Sequence, residues 1–291
     1  MRASAWALVP LVAMLAAPAW AQQADRRYDV RGMVLRVDAA ARTFFVSHDR
    51  IDGLMDAMTM PFEVRDARQL QGVVPGAMVE FVLVISKDAG YATNVRVRRY
   101  ESAEQDPLTA RRLALLRRVA GRVPPPVAVG QRVPDFTLTD STGAPVTLSS
   151  FAGKIVVMNF VYTRCALPQF CLRMANTFSV VQKRFSNVLG RDVQLLTVTF
   201  DPERDTPEVL AAYARQWNAD ARGWKFLTGP VAEVRRVCAL FGVEAFPDEG
   251  LMNHMVRTVL VGRDGRLLAN IEGNAFTPEQ LGDLLRSLLE A

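Results

Sequence analysis

Cysteine and histidine are scarce in this sequence, which has three cysteines and two histidines among 291 residues. An odd count of three allows one cysteine pair and leaves one thiol over. Cys238 is the expected leftover, because Val234, Cys238 and Phe241 recur at helical spacing and would bury the thiol as a small hydrophobic group. The other two cysteines and both histidines are then the candidates for chemistry.

A strong charge of one sign is also missing. Lysine and arginine number 35 against 30 aspartates and glutamates, which gives a formal net charge of +5. Because the basic excess is spread among many acidic residues, the composition gives no argument for nucleic-acid binding. The basic pI supports no more than a weak preference for acidic partners or anionic lipid surfaces.

No cysteine follows the N-terminal apolar stretch, which argues against a lipoprotein. Arg2 is the only charge before this stretch, which ends in the small-x-small cleavage pattern AWA at residues 19–21. Pro10 and Pro18 interrupt it, and it is short for a spanning helix. We predict a cleavable secretory signal over residues 1–21 and a periplasmic location, with an uncleaved membrane anchor as the alternative.

The chain is long enough for two domains, and its first part has the pattern of a β domain. Residues 27–99 contain short alternating runs separated by turn signals, and the expected strands are residues 30–37, 43–47, 60–64, 78–85 and 92–97. Five short strands in one small unit predict an all-β, OB-like closed barrel.

The second part, residues 127–291, alternates strands with helices, as in a mostly parallel sheet covered by helices. Strands are expected at residues 155–161, 193–200, 257–261 and 266–269, and helices near residues 174–185, 207–217, 231–241 and 278–289. This order predicts an α/β domain of the thioredoxin-like kind.

A linker over residues 100–126 joins the two predicted domains. Asp106 and Pro107 are suited to begin a short helix that runs to Ala120 and carries several arginines. We predict a solvated connector at the domain junction. The alternative is a basic helix on a membrane surface, which would give peripheral membrane association.

Cys165 and Cys171 are expected where a buried strand gives way to a helix. Backbone N–H groups there, and the neighbouring Arg164, would favour the thiolate form of Cys165. Pro168 argues against an unbroken helix between the cysteines, so we expect a loop to bring the two sulfurs together. Such a pair can cycle between dithiol and disulfide, or bind a metal.

Three ordered motifs carry a family resemblance: VYTRC at residues 161–165, TFDPERDTP at 199–207, and an Asn-His pair ending at His254. Together they resemble the SCO/SenC family of copper-binding thioredoxin-fold proteins. That family is implicated in building the binuclear copper centre of cytochrome c oxidase and binds copper through two cysteines and a histidine. The resemblance implies Cys165, Cys171 and His254 as ligands, although five residues separate these cysteines where the family usually has three.

Other uses of the same motifs fit the sequence less well. A thioredoxin-type reductase would have tryptophan at Arg164 and a cis proline near Val256, and a peroxiredoxin would have threonine at Tyr162. A structural disulfide with an incidental histidine is the plainest alternative. Asp201 and Asp205, near the end of the preceding strand, are candidates to tune the cysteine site, although Asp205 with Pro207 is interpreted more simply as a helix cap.

A second set of soft ligands lies in the barrel region. Met58 and Met60 are two apart on a strand, so their thioethers share a face, and His48 can complete a site. Residues 45–62 resemble CusF-type periplasmic copper-binding domains, whose one histidine and Met-Thr-Met motif match these three residues. Met55 lies near the place of a tryptophan that such domains set over the metal, and it is a candidate for a further thioether ligand. Methionines that only fill the barrel core are the alternative.

Copper is therefore the predicted cofactor of both domains. We predict a periplasmic copper metallochaperone, a transfer protein more than an enzyme, in which the barrel captures Cu(I) and the thioredoxin-like domain delivers copper to a cytochrome c oxidase subunit. Two alternatives stay open: a thiol-disulfide oxidoreductase that keeps an acceptor's cysteines reduced, and a copper-buffering or resistance protein without a dedicated acceptor.

Overall fold

The computed structural model describes residues 25–87, 89–98, 125–165, 168–243, 245–248 and 251–291. The predicted signal segment and the predicted connector helix lie outside the described residues. In the part of the chain that the structure describes, no helix combines the length and apolar character needed to cross a membrane.

The N-terminal domain is the predicted small β unit. Its antiparallel strands, in the sheet order β3-β2-β1-β4-β5, are β1 (Arg26–Asp38), β2 (Thr43–His48), β3 (Met58–Glu63), β4 (Met78–Ile85) and β5 (Gly90–Val97). A bridge between Val64 and Ala92 joins the two edges of the sheet. Phe44, Phe62 and Phe81 fill the interior, and Phe81 packs edge-on to the other two rings. A 3₁₀ turn (Ala67–Leu70) covers one end.

The C-terminal domain is a seven-stranded mixed sheet in the order β14-β13-β8-β9-β10-β6-β7. Its strands are β6 (Thr137–Asp140), β7 (Pro145–Thr147), β8 (Ile155–Val161), β9 (Val193–Thr199), β10 (Trp224–Thr228), β13 (Arg257–Val261) and β14 (Leu267–Glu272). The central strands β8, β9 and β10 are parallel and buried, which explains their continuous apolar runs. A separate hairpin consists of β11 (Ala245–Asp248) and β12 (Leu251–His254).

Four α-helices complete this domain: α1 (Arg173–Arg184), α2 (Pro207–Gln216), α3 (Val231–Leu240) and α4 (Pro278–Leu289). Two sequence predictions about their starts were wrong. Thr206, and not Asp205, caps α2. The segment Pro168–Leu172 before α1 is a π-helical turn and not a loop, because a proline that begins a helical turn needs no N–H partner there.

The two domains pack against each other. Met33 and Leu35 of β1 are buried in the same apolar cluster as the C-terminal sheet. Gly76 approaches β14 so closely that a Cβ atom there would lie 2.9 Å from Cγ1 of Ile271. The helix α4 also contacts β1 and β2. The barrel is therefore held on the thioredoxin-like domain through the outer side of its own sheet.

Candidate metal centres

The structure brings the two predicted sulfur ligands together. Cys165 lies just beyond β8, Cys171 lies in the π-helical turn before α1, and both are buried thiols that are not joined in a disulfide. Hydrogen bonding with Cys165 and then burial raise the pKa of Cys171 far above its ordinary value. A metal that binds this pair must therefore displace at least the proton of Cys171.

The loop before Cys165 is fixed by a buried carboxylate. Oδ2 of Asp205 accepts hydrogen bonds from the backbone N–H of Thr163 at 3.1 Å and the hydroxyl of Thr199 at 2.5 Å, while its Oδ1 accepts from the hydroxyl of Thr163 at 2.6 Å. Arg164, which the sequence predicted would support Cys165, forms an ion pair with Asp201 at 2.8 Å. Asp205 thus ties the cysteine loop to the end of β9.

Tyr213 is a neighbour of the thiols that the sequence did not reveal. It lies on the buried face of α2. Burial raises the pKa of its hydroxyl, and negative charge on the neighbouring Cys171, Cys165 or Asp205 raises that pKa further. Only its place on the apolar face of a helix was visible in the sequence, and that pattern is typical of an ordinary core residue.

His254 is the last residue of β12, and its backbone pairs with Ala245 across the hairpin. The strand β13 begins three residues later and runs antiparallel to β8, with Thr258 opposite Asn159. The beginning of β13 and the end of β8 therefore lie at the same end of their strands in the sheet. His254 precedes β13 at that end, where the chain also continues from β8 to Cys165.

The third cysteine has the predicted structural role. Cys238 lies in the core, and burial raises the pKa of its thiol to about 12. It stays protonated and apolar at neutral pH.

In the barrel, the register of β2 and β3 brings the other predicted ligands together. His48 is directly opposite Met58, and Val46 is opposite Met60, so all three ligands share the face that carries Phe62. His48 is 1% exposed, whereas Met58 is 52% exposed. The site is thus open to solvent on its methionine side.

The ring of His48 has one defined hydrogen bond. Nδ1 lies 2.7 Å from the carbonyl oxygen of Asp49, and since a carbonyl only accepts, Nδ1 must be the donor. In the neutral ring this leaves Nε2 without a proton, and Nε2 is buried with no hydrogen-bond partner among the described residues. A buried acceptor without a partner is costly, and a soft metal between it and the two thioethers would satisfy it.

Met55 has a different environment. Its backbone bridges to Ile51, and its half-buried side chain packs against the barrel core. Met60 packs against the same core, so the two methionines differ in position and not in packing: Met55 lies in the turn before β3, whereas Met60 is paired with Val46 on the ligand face.

Comparison with known proteins decides the family. Residues 128–290 match the SCO1/SenC family model, and residues 27–98 match the model of CusF, a copper binding periplasmic protein. The chain belongs to the SCO1/SenC family. These matches confirm both resemblances and copper as the metal.

Individual relatives match only part of the chain. Protein sco1 of Schizosaccharomyces pombe is 29% identical over 160 residues, which are 52% of this chain and 59% of that protein. The SCO1 homolog of Bacillus subtilis is 29% identical over 150 residues, or 50% of this chain and 76% of that protein. A solved structure from Aquifex aeolicus shares the fold at 23% identity, with a TM-score of 0.50 over 55% of this chain and 94% of that one.

Proposed function

We propose that this protein is a periplasmic copper metallochaperone with two copper sites. The CusF-like barrel binds Cu(I) through His48, Met58 and Met60, and the SCO/SenC domain holds copper through Cys165, Cys171 and His254 for delivery to a cytochrome c oxidase subunit. One observation carries the proposal: a single chain contains two separate sets of soft ligands. The first set is a hydrogen-bonded dithiol, and the second is a buried imidazole beside two thioethers.

The ligand chemistry supports a direction of transfer. Thioethers and a neutral imidazole bring no charge to Cu(I), whereas two thiolates bring two negative charges and bind a soft cation more tightly. The exposed Met58 gives the barrel an open side for capture. Copper would therefore pass from the barrel to the SCO/SenC domain and from there to an acceptor.

The periplasmic location and the oxidase acceptor rest on the families. CusF is described as a periplasmic protein, and the resemblance to SCO/SenC proteins implies a role in cytochrome c oxidase assembly. Leu172, which directly follows Cys171, is exposed and offers an acceptor an apolar contact beside the dithiol.

Copper stoichiometry tests the proposal. The reduced chain is expected to bind two Cu(I), and the chain oxidised to the disulfide of Cys165 and Cys171 is expected to bind one, because the thiol site needs thiolates. His48→Ala should remove the copper that survives oxidation. If the reduced chain binds a single copper and His48→Ala binds as much as the parent, the barrel has no site.

A thiol-disulfide oxidoreductase is the second candidate, favoured by two reduced thiols in hydrogen-bonding contact. The two functions differ in what reaches the acceptor. Copper-loaded protein mixed with a dithiol acceptor fragment should transfer copper if it is a chaperone. Reduced, copper-free protein mixed with the disulfide form of the same fragment should convert it to the dithiol, with Cys165 and Cys171 ending as the disulfide, if it is a reductase. Neither copper nor electrons should move if the protein only buffers copper.

A further inference from the structure

The helix α4 of the SCO/SenC domain lies directly behind the barrel's metal ligands. Oδ2 of Asp283 accepts hydrogen bonds from the hydroxyls of Ser47 at 2.7 Å and Thr59 at 3.2 Å. Ser47 precedes His48, and Thr59 lies between the two methionines. Because successive side chains of a strand face opposite sides, one carboxylate holds β2 and β3 from behind at the level of all three ligands.

Gln280, one helical turn before Asp283, holds the same region. It is 3% exposed, and its Nε2 donates to the carbonyl oxygen of Ser47 at 3.1 Å and to Oδ1 of Asp49 at 3.0 Å. Its Oε1 accepts the backbone N–H of Thr277 in a capping box at 2.9 Å. All hydrogen-bonding atoms of this side chain are therefore engaged.

These contacts lead to the metal-binding nitrogen. Gln280 fixes the residues on both sides of His48, and the carbonyl of Asp49 accepts Nδ1–H of the His48 ring. A carbonyl held in this place keeps the proton on Nδ1 and leaves Nε2 for the metal. Asp283 is itself paired with Arg184 at the end of α1, the helix that follows Cys171.

Docking of the two domains does not by itself require these contacts. Met33 and Leu35 of β1, with Gly76 against β14, already supply the apolar interface. The polar contacts instead converge on Ser47, Asp49 and Thr59, which adjoin the three ligands in the sequence.

We propose that α4 is the outer support of the barrel's copper site, with Gln280 and Asp283 as positioning residues for His48, Met58 and Met60. This inference rests on the proposed barrel site. The Cu(I) affinity of the barrel then depends on both domains, because the C-terminal helix of the SCO/SenC domain supports the copper site of the barrel.

The test uses the full chain with Cys165→Ser and Cys171→Ser, so that only the barrel site is left. Gln280→Glu keeps the capping box, since glutamate also serves there, but replaces both donors to the barrel with a carboxylate. Cu(I) affinity, measured by competition with a chromogenic Cu(I) chelator, is expected to fall about 10- to 100-fold. The side-chain ¹⁵N shifts of His48 in the metal-free protein are expected to lose the pattern of a ring protonated only at Nδ1.

Two further variants separate positioning from general damage. Glu279→Gln changes an exposed neighbour on the same turn and should leave both measurements unchanged. Adding Asp49→Asn to Gln280→Glu exchanges the donor and the acceptor of the hydrogen bond between these two side chains and keeps the net charge of the parent. The double variant should recover part of the lost Cu(I) affinity.

Thr59→Val provides the same test from the barrel side, because it removes the hydroxyl that reaches Asp283 and keeps the shape of the side chain. It should weaken Cu(I) binding several-fold, while Thr59→Ser should not. If Gln280→Glu and Thr59→Val both bind Cu(I) within twofold of the cysteine-free parent, with unchanged His48 shifts, the support role is wrong. If that parent binds no Cu(I), the proposed barrel site is wrong instead.

Discussion

The two candidate copper sites differ in what must happen before a metal can bind. In the barrel, the hydrogen bond of Nδ1 to the carbonyl of Asp49 leaves Nε2 of the neutral His48 ring open to a metal, and the thioethers of Met58 and Met60 never carry a proton. In the SCO/SenC domain, Cys171 is buried, hydrogen-bonded to Cys165 and held in its protonated form. One site is ready for a soft cation, whereas the other is controlled by protons and by the redox state of its sulfurs.

This difference suits two steps of one transfer. A site with neutral ligands captures and releases copper without proton exchange, and a thiol site retains copper only while both sulfurs are reduced. The fold keeps the two kinds of chemistry apart, because the barrel ligands lie on one β hairpin while the thiols lie between a parallel strand and its following helix.

The largest expected contrast is in the pH dependence of copper affinity. Burial and the hydrogen bond with Cys165 raise the pKa of Cys171, so this thiol is protonated through the neutral range and copper must displace its proton. Each displaced proton makes affinity rise about tenfold per pH unit below the thiol pKa. The SCO/SenC site should therefore tighten at least about tenfold per unit between roughly pH 7 and pH 8.

The barrel should show almost no such slope, because its thioethers have no proton to lose. Competition titrations of His48→Ala and of Cys171→Ser, each with one site left intact, measure the two slopes separately. Equal slopes for the two proteins would contradict the distinction between a ready site and a proton-controlled one.

A smaller effect is expected from Asp205→Asn. The substitution leaves at least one hydrogen bond to Thr163 or Thr199 unmade in a buried place, and the free energy of unfolding should fall by about 2 kcal/mol. Thr206 still caps α2, so the helix start is not affected. Copper at the thiol site should weaken, and copper in the barrel should not.

Urea unfolding followed by circular dichroism measures the stability change, and copper counts on reduced and oxidised protein measure the two sites. Glu203→Gln, an exposed neutralisation in the same loop, is the matched control. Loss of copper from both sites in Asp205→Asn would show that the loop held by Asp205 also supports the barrel site.

The elements that sequence predicted best have strong local signals. The strands β4, β8 and β13 and the helix α4 have the predicted bounds, since each is a long apolar or amphipathic run between turn or cap residues. The short strands β6, β7 and β10 were not predicted, because their few residues acquire strand structure by pairing with the sheet.

The site was predictable where its residues are close in sequence. The Met-Thr-Met motif showed that two thioethers share a face, and the register of β2 and β3 then placed His48 opposite Met58. The contact between Ser47 and Asp283 spans 236 positions and depends on domain docking, which leaves no local pattern. Asp205 had a weak local signal, because its position between a strand and a helix suggested both a cap and a role at the cysteine site, and its hydrogen bonds favour the second.

The smallest expected effect concerns Met55, the third methionine near the barrel site. Its backbone bridges to Ile51 in the turn between β2 and β3, outside the paired positions that place His48 opposite Met58, so we expect it to contribute packing and not a metal bond. Met55→Leu keeps the volume and removes the sulfur, and it should change Cu(I) affinity less than twofold in a cysteine-free chain.

Met60→Leu makes the same chemical change at a predicted ligand and should weaken binding at least about tenfold. A sulfur count by X-ray absorption on the Cu(I) protein decides between them: two thioethers in the parent and in Met55→Leu agree with this assignment, and a drop from three to two in Met55→Leu would make Met55 a ligand.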